Sequence, residues 1–162
     1  VTSQDVDHPF SFSQYMSGVL NSPDGGCLQT GLNPCQLGDE EWVNLVAPAQ
    51  FLNNYVFFVD PTYGVSNISV MRVPGLNGYE DVELECYGLV DGWEPVGNNN
   101  EYEVAHIDLY RAGMGDCASS QQDAWSDAPF GIVVWGTDRY SSYGYPAGGN
   151  ARKINDVVVP PG

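Results

Sequence analysis

Strand-length runs of alternating or wholly apolar residues, each stopped by glycine, proline, asparagine or aspartate, recur along the 162-residue chain and leave no stretch for a long helix. PFSFSQYMSGVL places Phe10, Phe12, Met16 and Leu20 on one face and Ser11, Ser13, Tyr15 and Ser17 on the other, the period-2 pattern of a half-buried strand. EEWVNLVAP follows, and then NNYVFFVDP, whose Tyr55, Val56, Phe57, Phe58 and Val59 are apolar on both faces and predict a central strand. VSNISVMRV and DVELECYG flank the turn formers PGLNGYE and predict a hairpin, with Val82, Leu84 and Cys86 inward and Glu83 and Glu85 outward. EYEVAHIDLY points Ala105, Ile107 and Leu109 inward, and its carboxylates suit an exposed edge. GIVVWGTDRY reads as a central strand and INDVVVP as a final one, while the serines, glutamines and alanine around 119–125 offer the one short helix. The prediction is an all-β fold, an antiparallel β-sandwich of jelly-roll or Ig-like type with at most one short helix. Residues 1–8 form an N-terminal extension, 9–159 the domain and 160–162 a linker or tail.

Charge narrows the partners. Twenty-one acidic residues against five Lys plus Arg give a net charge of −16, which repels nucleic acid and anionic lipid. No run approaches the ~18 to 20 apolar residues of a membrane span, and Val1 begins without a basic and apolar leader, as in a mature chain or one cut from something longer. The four cysteines lack the C-x-x-C spacing of zinc or redox sites. Of three connectivities, the local pairing Cys27 with Cys35 and Cys86 with Cys117 is expected, because the first pair flanks a short loop of turn formers. Two disulfides place the chain outside the cell or on its surface; four free thiols in a reducing cytosol are the alternative.

Catalytic signatures are absent: there is no G-x-S-x-G elbow, no phosphate-binding P-loop, no H-E-x-x-H helix and no complete EF-hand loop. His8 and His106 are the only histidines for acid–base work, and His106 with Asp108 on one strand face forms at most half a metal site. Asp5 and Asp7, or Asp39 with Glu40 and Glu41, are candidate oxygen ligands for calcium, although no glycine-bearing ligand loop accompanies them, and no other cofactor is implied. Carboxylate pairs for glycoside hydrolysis are too abundant here to be informative. Trp93, Trp125, Tyr140, Tyr143 and Tyr145 are candidate contact residues for a protein or a glycan, since their rings supply rigid amphipathic area. Trp42 and Trp135, within strands, are assigned to the core. SSYGYPAGGN reads as a structural corner in which glycines adopt positive φ while Tyr143 and Tyr145 lay their rings on the rim. Val157, Val158 and Val159 form an uncharged β-branched run suited to strand addition by a partner or a second copy. Asn67 begins the glycosylation sequon N-I-S.

The order HPFSFSQYMSG, GDEEWVNLVAPAQFLNNYVFFVDPTYG and PFGIVVWGTDRYSSYGYPAGGN resembles the C-terminal half of the IgGFc-binding protein N-terminal domain family, from about His8 to Asn155. Gly38 and Asp39 ahead of an apolar strand, and P-F-G, W-G and S-Y-G-Y-P-A-G, carry the resemblance. It implies an extracellular, cysteine-bearing, β-rich module of bacterial surface or secreted type, without a catalytic motif. The expected function is a non-enzymatic one in adhesion, protein binding or surface assembly, with a carbohydrate-binding module as the alternative.

Overall fold

The computed structural model describes residues 4–5, 7–8, 10–16, 37–111, 114–118 and 120–151. They form ten strands: β1 Ser13–Met16, β2 Glu41–Asn44, β3 Leu52–Phe58, β4 Val65–Arg72, β5 Val82–Leu84, β6 Gly88–Leu89, β7 Glu94–Val96, β8 Tyr102–Arg111, β9 Gln121–Asp138 and β10 Ser141–Pro146. Every pairing is antiparallel. The fold is all-β, and among the described residues the one helical turn is a 3-10 segment at Pro48–Gln50, not the helix expected around 119–125. From Gln121 onward the chain is strand, because β3 and β5 pair with its two edges and draw Gln122 and Ala124 inward. Sheet pairing on both sides overrides a weak local helical preference.

β9 organises the sheet. Its first part pairs with β3 and β5, with β6 beyond; its second part pairs with β10 and β4, with β8 and β7 beyond. Between Trp125, opposite Asn54, and Phe130, opposite Leu52, residues 126–129 face the single residue Asn53. Such a bulge bends a strand, and Pro129 lies inside it, where a ladder donor is dispensable. The curled sheet thereby closes one core from both parts of β9, with Tyr55 and Phe57, Ile68 and Val70, Val82 and Leu84, Ile107 and Leu109, and Phe130, Ile132 and Val134 in one cluster. Cys86 after β5 is joined to Cys117 before β9, as expected, and the buried Gln122 side chain donates to the Cys117 carbonyl at 3.3 Å. Cys27 and Cys35, and hence the second disulfide, lie outside the described residues.

Three expectations about strand placement need correction. β3 is paired on one side only, so it is an edge strand, with Tyr55 and Phe57 buried and Val56 and Phe58 exposed. β8 is an inner strand, covered on its outer side by the short β7. β4 and β5 do not form a hairpin: β4 joins β8 and β9, whereas β5 joins β9 and β6.

Glycine and aromatic residues interlock around β9 and β10. Opposite positions pair Tyr143 with Gly136 and Gly144 with Trp135. A Cβ on Gly136 would stand 2.0 Å from the Tyr143 ring, one on Gly144 2.5 Å from the Trp135 ring and 2.7 Å from Val43, and one on Gly131 2.4 Å from the Phe51 ring. Each glycine is therefore the seat of a ring. None of these has positive φ, so SSYGYP is a strand and the glycine turn expected there does not form. In the connecting turn it is Tyr140 that adopts φ 51°.

β1 and β2 form a separate two-stranded sheet, with Val43 of β2 packed beneath Gly144. Trp135 is buried as expected, but Trp42 is 59% exposed and stacks on Tyr15 at 5.8 Å between ring centroids. Phe10 and Phe12, expected on the buried face of the first strand, are exposed as well, Met16 is half-buried, and Leu20 lies outside the described residues.

Candidate functional site

Edge pairing and period-2 alternation together leave one side of β3, β9, β5 and β6 uncovered. Residues opposite one another across antiparallel strands share a face. One row runs Asn54, Trp125, Glu83 and Leu89; the next pairs Val56 with Asp123; the third pairs Phe58 with Gln121. Val56, Phe58, Leu89 and Trp125 are 57%, 58%, 60% and 38% exposed, so four apolar side chains meet solvent on one open face. Glu83, Glu85 and Asp123 stand among them, and none of the three described arginines, Arg72, Arg111 and Arg139, is on these strands. The surface is apolar and anionic.

At the far end of β3 this face runs into a shallow groove of about 640 Å³ lined by Phe58, Val59, Asp60, Pro61, Tyr143 and Tyr145. The two tyrosines project from β10, and their hydroxyls reach the open edge of β3. The Phe58 N–H donates to Tyr145 Oη at 2.9 Å, and the same hydroxyl donates to the Phe58 carbonyl. The Asp60 N–H donates to Tyr143 Oη at 3.0 Å. One phenol thus replaces the donor and acceptor that a neighbouring strand would offer. Burial pushes the Tyr145 hydroxyl above its ordinary pKa, with the bond to the Phe58 backbone acting in the opposite direction. Asp60 itself accepts from the Thr62 hydroxyl at 2.6 Å and the Thr62 N–H at 2.9 Å, which hold its carboxyl below the usual range.

The other predicted residues are dispersed. The Trp93 ring is half-buried beneath the Arg72 guanidinium, 4.0 Å from its centroid, and its Nε1–H donates to the Val90 carbonyl at 2.9 Å. Arg72 also binds Glu103 through Nε at 2.8 Å and Nη2 at 2.6 Å, so this cluster is closed. Tyr140 is exposed beside Arg139 at the hairpin tip. Asp5 accepts from the Asp7 N–H and contacts His8 at 2.5 Å. Asp39 accepts from the Glu40 N–H at 2.9 Å, and its contacts with Glu40 lower its pKa. Among the described residues no three His, Cys, Asp or Glu side chains gather as metal ligands, either around Asp5 and Asp7 or around Asp39, Glu40 and Glu41. His106 contacts Ser69 Oγ at 3.0 Å, whereas Asp108 is turned to Arg111. Asn67 stands mid-strand in β4, between β8 and β9. Val157, Val158 and Val159 lie outside the described residues.

Val56, Phe58 and Leu89 were not singled out from the sequence. Reading β3 as a central strand assigned both of its faces to the core; the Asn-Asn start and the Asp-Pro end were the available signals of an edge.

Among the described residues no helix is long and apolar enough to cross a membrane. No curated protein and no solved structure matches the chain. The sequence profile of the family described as IgGFc binding protein matches residues 1–136, most of the chain, and the P-F-G and W-G glycines that seat Phe51 and Tyr143 lie within the match. The chain belongs to the IgGFc-binding protein family.

Proposed function

We propose that the chain is a non-enzymatic β-sandwich module that works outside the cell or at its surface and binds a protein through the open face of β3, β9, β5 and β6. The observation that carries this reading is the exposure of Val56, Phe58, Trp125 and Leu89 on one face of a sheet whose opposite face is fully used in the core. Several large apolar side chains exposed on one sheet face and interspersed with charge suit a protein contact surface, and an aromatic anchor such as Trp125 is the residue type that dominates such surfaces. Family membership supports the same class of function. The glycan alternative draws less support, because the Tyr143 and Tyr145 hydroxyls are engaged by the β3 backbone and Trp93 is covered by Arg72.

The test is surface-based binding of the full chain to immunoglobulin G Fc, the partner in the family's description, and to an array of extracellular proteins. Trp125→Ser and Phe58→Ser should abolish binding, while His106→Ala, on the β4–β8 face, should leave it intact. Binding that survives both face substitutions would move the interface elsewhere.

A further inference from the structure

The open edge of β3 has two chemically different stretches. Two backbone bonds fix its orientation: the Val59 N–H donates to the Ser120 carbonyl at 2.8 Å, and the Glu85 N–H of the opposite neighbour takes the Asp123 carbonyl at 3.0 Å. By alternation, Tyr55 and Phe57 exchange hydrogen bonds with β9, and the N–H and C=O groups of Asn54, Val56 and Phe58 point away from it. Phe58 is sealed by Tyr145 and Asp60 by Tyr143. Among the described residues nothing pairs with the outward backbone groups of Asn54 and Val56. The edge is thus capped at one end and open beside the cap.

We infer that residues 54–56 of β3 accept an extended cationic segment of a protein partner by strand addition, with the Tyr145 hydroxyl as the stop that the incoming strand displaces if it extends to Phe58. An unpaired edge recruits a strand through its backbone groups, and side chains at alternate positions set specificity. The residue added opposite Val56 falls in the row of Asp123, two strands or about 10 Å away, with Glu85 beyond it on the far side of β9, so the carboxylates act on it as a field and not as contact partners. A net charge of −16, with no arginine on these strands, favours lysine or arginine in the incoming segment and opposes a second copy of this chain. The inference rests on the protein-binding reading above and adds to it the partner's backbone conformation and charge.

The probe is a six-residue acetylated and amidated peptide alternating lysine with valine and threonine, titrated into the full chain and followed by amide NMR and hydrogen exchange. Expected are protection of the Asn54 and Val56 amides, affinity that falls with added salt, and a loss of about tenfold or more when alternate peptide nitrogens are methylated, since those donors are removed. Tyr145→Phe should extend protection to the Phe58 amide and tighten binding. Val56→Lys should weaken binding while leaving the near-ultraviolet circular dichroism unchanged, which separates edge blocking from misfolding. Equal binding of the N-methylated peptide, equal binding of a glutamate-for-lysine version, or self-association through these amides without peptide would each overturn the inference. Loss of protein binding in Trp125→Ser with no peptide effect at residues 54–56 would refute the edge site and leave the face reading standing.

Discussion

Gly144→Ala should destabilise the protein, although alanine ordinarily helps where φ is negative. The backbone there is not in the left-handed region, so alanine reduces the entropy of the unfolded chain and contributes about 0.4–1 kcal/mol in favour of folding. Against this, the new Cβ would stand 2.5 and 2.6 Å from two atoms of the Trp135 ring and 2.7 Å from a Val43 methyl. Trp135 is 7% and Val43 2% exposed, so neither can swing into solvent. Overpacking costs typically about 1–3 kcal/mol, and a clash with two buried side chains at once belongs in the upper half of that range, leaving a net loss of roughly 1–2 kcal/mol. For a chain of this length that is about 2–8 °C in Tm. Urea unfolding with an unchanged m-value is the assay, with Gly75→Ala as the control. Gly75 also lacks positive φ, and its nearest neighbour would be 3.5 Å from the new Cβ, so that substitution should be neutral or stabilising. In a Trp135→Leu background the Gly144→Ala penalty should shrink by at least about 0.5 kcal/mol, the coupling expected of residues in contact. Equal stability of Gly144→Ala and wild type, or additivity with Trp135→Leu, would refute the ring-seat account.

Reduction of Cys86–Cys117, or its replacement by two serines, opens a loop with a sequence separation of 31 and should cost about 3–4 kcal/mol by the chain-entropy model, read as a fall in the urea midpoint; non-reducing peptide mapping of the same sample should also join Cys27 to Cys35, and alkylation of those two thiols in native protein would contradict that pairing. Thr62→Val should raise the Asp60 pKa part of the way toward the ordinary ~3.9, as followed by NMR titration. Because the folded-state pKa of Asp60 is depressed, its contribution to stability is present above the unfolded value and disappears as pH falls through the folded one. The variant should therefore lose stability near neutral pH and show a flatter acid limb, and identical acid limbs would show that the hydroxyl does not hold the carboxylate.

Much of the core was legible in the period-2 alternation. Ala105, Ile107 and Leu109, and Val82 and Leu84, are buried as the alternation requires, because a strand with one wet face leaves little choice of which side turns inward. Pairing was less legible. Whether β3 sits at an edge depends on where β9 bends, and the bend depends on residues 126–129, whose Ser-Asp-Ala-Pro composition does not distinguish a bulge within a strand from a loop. The helix expected around 119–125 failed for the same reason: serine, glutamine and alanine carry no strong preference, and partners from β3 and β5, distant in sequence, decided the outcome.

The candidate surface was half legible, and the missing half follows from the misplaced edge. Trp125 was recognisable as an exposed anchor, whereas Val56 and Phe58 belong to a run whose apolar character has two physical explanations, burial on both faces or burial on one beside an open surface. The tyrosines settle which applies. A central strand would offer Tyr145 no free backbone, yet the Phe58 N–H and carbonyl are both directed at its hydroxyl. The YGY sequence therefore reports on β3 as much as on its own segment: two rings two residues apart share one face of β10, the glycine between them admits Trp135 on the other, and the hydroxyls end where an eleventh strand would begin. An edge sealed over only part of its length is a different object from a fully covered one, because its open part remains a template for a partner while its capped end limits how far that partner can propagate.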